Sequence, residues 1–482
     1  MMMSFRYDHI WIMSDIILES TSYLVVGQVD SGKSTLIGVL TCQGKSDKFN
    51  ETSEIDSAYL DNGNGSARSN ITTLGHEIES GRTSTHMGYY MITLDQKTKK
   101  KKVTTIIDLC GHEKYLKTTL FGITGLSGDI GIVVIGANMG ISNTTKEHMK
   151  ILIYLKVPFI IVVTKIDLLQ SNNMWNSLKK NISRTLSKCG NREPLFVDED
   201  NPIDNGMYNI QLCDKISNDF QDNLKKVVPV ISVSNKTGHN IGFIRQLLTY
   251  IDNDAFVNRI ADTHGSIDSV ENKNSVMFLD CRFSVKGVGI VISGSMGYGD
   301  LNISDPIFIG PIDGSYVPAK IRSLKNRVGQ DVPAIYHGES GSMSFRVLGK
   351  NHYSLDTFKK GHVVCTNMEF AKNNTCYTIT VDYVPVKNGF SVRPGYQCVL
   401  HCMTVRHTVV FQKVEGDVKF GRIVKVTMKF IGSPEFVVLG SKLVFRDGDV
   451  KGIGRVTEII PFQYDTRLSP KKNKKLTLKA LK

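Results

Sequence analysis

Residues Gly27-Gln28-Val29-Asp30-Ser31-Gly32-Lys33-Ser34-Thr35 set two glycines, a lysine and a hydroxyl at the spacing G-x-x-x-x-G-K-[ST], directly after the apolar run Tyr23 to Val26. This spacing lets backbone N–H groups converge on phosphates at the start of a helix. Lys33 is expected to reach the β- and γ-phosphates, and Ser34 to ligate Mg²⁺. Alone, the motif specifies a nucleoside triphosphate but neither the base nor the reaction.

Asp108-Leu109-Cys110-Gly111-His112 ends a second apolar run, VTTIID. Asp108 therefore falls at a strand's carboxyl end, where ligands bind in open α/β sheets and where it can hold a metal's water shell. Gly111 can offer a bare backbone N–H to the γ-phosphate. His112, one residue on, is a candidate to act on an attacking water, although a lone histidine is more often structural.

Thr164-Lys165-Ile166-Asp167 follows the run PFIIVV. A carboxylate at Asp167 can accept from both the N1–H and the 2-amino group of guanine, a donor pair that adenine lacks. Leaving a buried carboxylate unpaired rejects the wrong base by orders of magnitude, so this motif points to GTP over ATP. Ser234 and Asn235, after VVPVISV, stand where a last loop would meet the base.

These residues need elements to hold them. From Tyr23 to Ile251 short, continuously apolar runs alternate with helix-period segments, which describes an α/β P-loop domain: a mostly parallel sheet with helices on both faces. Asp198 to Asp222 reads as an acidic, polar surface insertion. Beyond the polar linker the chain changes to short alternating strands punctuated by glycine, as in RFSVKGVGIVISGSMGYG, and two β-barrel domains are expected. The expected division is an N-terminal extension over 1–20, the nucleotide domain over 21–255, a linker over 256–274, barrels over 275–370 and 371–464 with the seam near Phe370, and a basic tail over 465–482.

Charge is distributed unevenly. Up to Ile260 there are 28 Lys+Arg against 27 Asp+Glu, and beyond it 31 against 19, so that +12 of the net +13 is C-terminal. Half of that excess lies in the tail, where Arg467, Lys471, Lys472, Lys474, Lys475, Lys479 and Lys482 face only Asp465. A phosphate-rich partner is the natural reading, with a solvated end that binds nothing as the alternative. Nine scattered cysteines do not form a disulfide framework and fit a reducing compartment. Cys398 and Cys402 flank His401, but no second ligand pair follows, and core packing is expected rather than zinc. Asp8, His9 and Asp15 interrupt any signal-peptide core, no run approaches a membrane span, and Met13 offers an alternative start. A cytoplasmic location is expected, with no membrane partner.

In the order GQVDSGKS, DLCGH, TKID and VSN, with GVGIVISG opening the second domain, the chain resembles elongation factor Tu and its relatives. It is more closely similar to the GTP-binding protein 1 and 2 family of translational GTPases through DNGNGSAR (Asp61 to Arg68), HEIESGRTS (His76 to Ser84), GHEKYLKTTLFGITG (Gly111 to Gly125), TKEH (Thr145 to His148), SNKTG (Ser234 to Gly238) and FRDG (Phe445 to Gly448). A shortened or viral-type member fits this pattern. The resemblance implies GTP and GDP with Mg²⁺ as ligands, Asp30 near the β- and γ-phosphates, and Thr83 as a switch threonine on Mg²⁺ and the γ-phosphate. Asp108 would hold Mg²⁺ through water. His112 would position the attacking water, and the barrels would dock against the switches and hold the acceptor end of a tRNA.

Two departures stand out. Thr164 replaces the usual asparagine, which is expected to remove amide contacts to base and P-loop. Arg82 replaces an apolar gate beside the histidine, as an internal arginine finger or as a solvated or tRNA-facing residue. The resemblance implies a monomeric GTPase whose partners are the ribosome and tRNA, delivering aminoacyl-tRNA. The alternative is a GTP-switched adaptor that binds rescue or mRNA-decay factors, and a metabolic subunit that borrows the same GTPase fits less well because it leaves the tail without a purpose.

Overall fold

Valine- and isoleucine-rich runs form the centre of a parallel sheet because both of their faces can be covered by helices. The computed structural model describes residues 16–17, 21–41, 60–69, 71–72, 77–78, 83–84, 87–95, 101–125, 128–197, 210–251, 274–327, 329–349, 353–386, 392–419 and 421–462. Arg82, the basic tail, and most of the N-terminal extension and linker lie outside these residues. Two compact units divide the chain, the first closing near Phe256 and the second running from Val257.

In the first unit the main strands are β1 (Ser22–Gly27), β2 (Met87–Leu94), β3 (Lys101–Asp108), β4 (Ile130–Gly136), β5 (Phe159–Thr164), β6 (Glu193–Val197) and β7 (Val227–Ser232), in the order β2-β3-β1-β4-β5-β7-β6, with the two-residue strand Ile16–Ile17 also paired to β3. All of these neighbours pair parallel except β2 with β3, which is antiparallel. Every residue of β1, β4 and β5 is buried. The register sets Val25 beside Asp108, Gly27 beside Val134 and Gly136 beside Thr164, so the carboxyl ends of four adjacent strands meet along one edge.

Helix α1 (Lys33–Thr41) begins immediately beyond β1 and packs with the one-turn α2 (Ser66–Ser69). Next come α3 (Leu116–Gly125), α4 (Asn143–Tyr154), α5 (Asn172–Gly190), α6 (Ile210–Asp222) and α7 (Ile241–Tyr250). The Ser142 hydroxyl caps α4 by accepting from Thr145 N at 3.1 Å. Helix α6 corrects the expectation of a surface insertion up to Asp222. Its Cys213, Ile216 and Phe220, at i, i+3 and i+7, are buried in the core formed with α7, and its acidic residues occupy the opposite face.

The second unit contains two closed six-stranded barrels. The first is made of β8 (Val276–Val285), β9 (Gly289–Tyr298), β10 (Pro306–Ile312), β11 (Ser315–Asn326), β12 (Ser340–Val347) and β13 (Val363–Cys365), and it closes where β10 pairs with both β11 and β13. The second comprises β14 (Thr375–Pro385), β15 (Gln397–Cys402), β16 (Val405–Glu415), β17 (Val424–Phe430), β18 (Lys442–Asp447) and β19 (Asp449–Pro461), closed by β14 against β17. Phe370 lies on the short helix α8 (Met368–Asn373) between them.

A single apolar cluster joins Val276, Phe278 and Tyr316 of the first barrel to Phe436 and Val405 of the second. The Tyr316 hydroxyl lies 2.7 Å from that of Thr375. Cys398, Leu400 and Cys402 alternate inward into this core, and burial pushes both thiols up to about 12, which leaves them protonated in apolar surroundings.

Buried histidines make the barrel unit sensitive to pH. Desolvation holds His362 down at about 4 and His401 at about 3, so each stays neutral when folded but binds a proton near pH 6.5 when unfolded. Stability therefore falls as pH drops below ~6.5, by up to about 1.4 kcal/mol per pH unit for each histidine. His407 works in the opposite sense. Its Nδ1 lies 2.6 Å from Glu435 Oε1, and that hydrogen bond raises its pKa, so its contribution is complete below ~6.5 and is lost as pH rises through the raised value. Denaturant titrations across pH are expected to show a maximum near neutrality, with His407→Gln flattening only the alkaline limb. An unchanged alkaline limb in that variant would contradict this assignment.

Candidate nucleotide-binding site

Strand β1 runs into the phosphate loop through Gly27 at φ +148°, where a Cβ would overlap the Val134 carbonyl oxygen. Asp30 (φ +59°) and Gly32 (φ +85°) then take left-handed conformations that turn the backbone towards the start of α1. The Gln28 carbonyl accepts from Ser31 Oγ at 2.9 Å and from Lys33 Nζ at 2.7 Å. Burial pulls the Lys33 ammonium below its ordinary pKa, and the Asp108 carboxylate works against that shift. Gly111 packs directly on this loop: a Cβ would overlap the Lys33 ammonium and lie 2.7 Å from the Gly27 carbonyl oxygen.

Three oxygens converge beside Lys33. Asp108 Oδ2 accepts from Ser34 Oγ at 2.7 Å and from Thr83 Oγ1 at 3.2 Å, and the two hydroxyl oxygens are 3.1 Å apart. Asp108 is 2% exposed, and its Oδ1 has no hydrogen-bond partner among the described residues. Burial raises the Asp108 pKa, while Lys33, Ser34 and Thr83 favour its charged form. Hard oxygen donors with one buried oxygen unmatched suit a magnesium ion and its water shell.

Ser84, the residue after Thr83, is held by a residue that the sequence reading passed over. Glu77, 5% exposed, accepts through Oε1 from both Ser84 N and Ser84 Oγ at 2.7 Å. His112 is half-buried near this end of the site, and its Nδ1 accepts from Lys114 N at 3.1 Å. In the neutral ring the proton is therefore on Nε2.

The other arm comes from β5 and β7. Lys165 (φ +61°) donates from Nζ to the Asp30 carbonyl at 2.8 Å. Asp167 Oδ1 accepts from Ser234 Oγ at 2.6 Å, and Ser234 Oγ accepts from Thr237 N at 3.2 Å. Asp167 is exposed at the rim rather than buried as its role in base selection suggested, so a bound base must itself cover the carboxylate. Asn235 is buried beside the phosphate loop, its Nδ2 3.7 Å from the position of a Cβ on Gly32.

In place of the amide contacts expected to be lost with asparagine, Thr164 makes a hydroxyl contact of its own to the P-loop. Its hydroxyl is fully buried and donates to the Ser31 carbonyl at 2.6 Å, binding β5 to the loop. Thr164→Val, close to isosteric, is expected to cost about 1–2 kcal/mol through the lost bond and the unmatched carbonyl. Thermal unfolding and nucleotide titration are the measurements. An unchanged midpoint and affinity would show that the hydroxyl does nothing for the loop.

A cavity of ≈ 550 Å³, within the range of small-molecule sites, opens among these elements. Val29, Asp30, Lys33, Ser34, Thr35, Thr83, Gly111 and His112 line it with Lys165, Asp167 and Asn235. The segment containing Asp61, Gly63, Asn64, Gly65 and Arg68 lines it too, although sequence reasoning had used this segment only as a mark of resemblance.

The family description "Elongation factor Tu GTP binding domain" matches residues 19–255. Over 458 residues the chain is 31% identical to GTP-binding protein 2 of Homo sapiens, covering 90% of this chain and 68% of that one. The chain belongs to the translational GTPases of the GTP-binding protein 1 and 2 family. GTP-binding protein 1 of Xenopus laevis is 29% identical over 459 residues, 90% of this chain but 63% of its own length, so the chain spans less than two thirds of that relative. Among solved structures, translation elongation factor SelB of Methanococcus maripaludis in complex with the GTP analogue GPPNHP superposes with a TM-score of 0.60 at 16% identity, over 93% of this chain and 81% of the other. At that identity the likeness concerns this translational GTPase's fold. Among the described residues no helix is long and apolar enough to cross a membrane.

Proposed function

We propose that this chain binds GTP with Mg²⁺, hydrolyses it to GDP and phosphate, and in its GTP form carries aminoacyl-tRNA to the ribosome. The observation that carries the nucleotide part is the convergence of the Ser34, Thr83 and Asp108 oxygens within 3.2 Å beside Lys33, with Asp167 and Asn235 bordering the same cavity. Ser34 and Thr83 would hold the metal directly and Asp108 would hold it through water, and the ion would neutralise charge on the phosphates.

Around that ion the chain's own groups divide the work. Lys33 and the loop's backbone N–H groups bind the phosphates, and Gly111 N–H meets the γ-phosphate. His112, with Nδ1 engaged by Lys114 N, offers Nε2–H, so it orients the attacking water by donating to it. With nucleotide bound, Thr83 would meet the metal and the γ-phosphate, and loss of the γ-phosphate on hydrolysis would release the segment around it as a switch.

The RNA part rests on the +12 excess beyond Ile260 and on the elongation-factor likeness of the fold. Protection of the ester bond of charged elongator tRNA by the purified protein tests it, with a non-hydrolysable GTP analogue and then with GDP, at two salt concentrations. Protection specific to the GTP form is expected. Salt-sensitive binding that ignores both nucleotide and charging would overturn the carrier reading and favour an RNA-docking adaptor.

A further inference from the structure

We propose that Arg68 is a cation supplied in cis to the phosphate end of the nucleotide, which makes the Asp61–Arg68 segment a further nucleotide-binding element. The proposal rests on the reading of the cavity as a GTP-hydrolysing site.

The segment is built to hold one shape. The Asp61 carboxylate, 8% exposed, accepts from Gly63 N at 2.9 Å, Gly65 N at 3.2 Å, Ala67 N at 3.1 Å and Ser66 Oγ at 3.3 Å. Gly63 (φ +91°) and Gly65 (φ +83°) supply the left-handed backbone that lets their N–H groups turn inward to one carboxylate.

Two contacts then fix this turn over the site. Asp61 N donates to the Asn235 carbonyl at 2.9 Å, anchoring the segment to the loop that borders the base end. At its other end Ala67 is 1% exposed and packs so closely on α1 that a Cβ on Gly38 would overlap the Ala67 carbonyl. Helix α1 begins with Lys33 and Ser34, so this packing places the residue after Ala67 relative to the phosphate loop itself.

That residue is Arg68. It is half-buried and lines the same cavity as Lys33, Ser34, Gly111 and His112. Its backbone N lies 3.3 Å from the position of a Cβ on Gly38, one helical turn from Ser34 on the same face of α1. Arg68 joins Lys33, Lys165 and Lys236 as a cation lining this cavity, and cations beside a metal-type oxygen cluster match a polyphosphate whose charge grows in the transition state. A guanidinium also brings a planar fork of donors that an ammonium lacks.

Single-turnover GTP hydrolysis at saturating nucleotide, fluorescent GDP titration and trapping of GDP with aluminium fluoride test the assignment on the full chain. Wild type is expected to bind GTP and GDP and to trap GDP–aluminium fluoride without a partner. Arg68→Ala is expected to hydrolyse about 10³-fold more slowly and to lose the trapped complex while GDP affinity changes less than about 3-fold. Arg68→Lys, which keeps the charge and the long side chain, is expected to recover less than about a tenth of the rate. An Arg68→Ala protein that hydrolyses and traps like wild type overturns the proposal. So does one in which GTP affinity, GDP affinity and unfolding temperature all fall together, because Arg68 would then only brace the segment. Wild type that binds no guanine nucleotide overturns the reading of the site as well.

Discussion

Asp167→Asn is expected to weaken GTP binding by about 10²- to 10⁴-fold and to admit xanthosine triphosphate in its place. Guanine presents N1–H and a 2-amino group, both donors, to the two oxygens of Asp167, whose Oδ1 is already oriented by Ser234 Oγ at 2.6 Å. Each charge-assisted bond is worth roughly 1.5–3 kcal/mol, and weakening one to a neutral bond while turning the other into a donor–donor contact costs about 3–6 kcal/mol, which is this range of affinity. An asparagine at this position keeps one acceptor but turns its own N–H₂ towards the guanine amine. Xanthine carries a carbonyl at that carbon and would accept instead. Competition titrations with GTP, ATP and xanthosine triphosphate read the outcome. A variant that binds GTP within about 3-fold of wild type and gains nothing for xanthosine triphosphate would show that Asp167 does not read the base.

His112→Ala is expected to slow single-turnover GTP hydrolysis by about 10²- to 10⁴-fold, the usual range for a positioned proton donor or acceptor, with GTP affinity unchanged within about 3-fold. Affinity should survive because the phosphates are assigned to Lys33 and the loop backbone, whereas His112 acts on the water. The Nδ1 contact to Lys114 N gives the histidine one orientation and one neutral tautomer, and that geometry disappears with the ring. Rates should be measured with the isolated protein and again with ribosomes. A stimulated rate equal to wild type would remove His112 from the mechanism, and a joint loss of rate and affinity would place it among the binding groups instead.

The chemistry along this chain was legible wherever it is local. The phosphate loop, Asp108 through His112, Thr164 through Asp167, and Ser234 with Asn235 are each a handful of residues at a strand's end, and the structure brings them to one edge of the sheet. The α/β sheet and the two barrels were legible for the same reason, since continuous apolar runs and short alternating runs bury different numbers of faces. Helix α6 escaped because the segment leading into it is acidic and polar and its apolar residues are interleaved with Asp214, Asp219 and Asp222, and only the packing of Cys213, Ile216 and Phe220 shows which face matters.

Tertiary structure decided what lies across gaps in the chain. Register places Asp108 beside Val25, and packing brings Thr83 to Ser34 from 49 positions away. The same packing reveals Glu77 as the acceptor that holds Ser84 beside Thr83, and Thr164 as a donor to the Ser31 carbonyl 133 positions earlier. It also turns Asp61 to Arg68 from a mark of resemblance into a wall of the cavity, through a carboxylate-centred turn and the close approach of Ala67 to Gly38. Motif spacing constrains backbone shape over a few residues. Convergence of side chains over a hundred or more depends on strand register and on glycines at close contacts, which become visible only once the chain is packed.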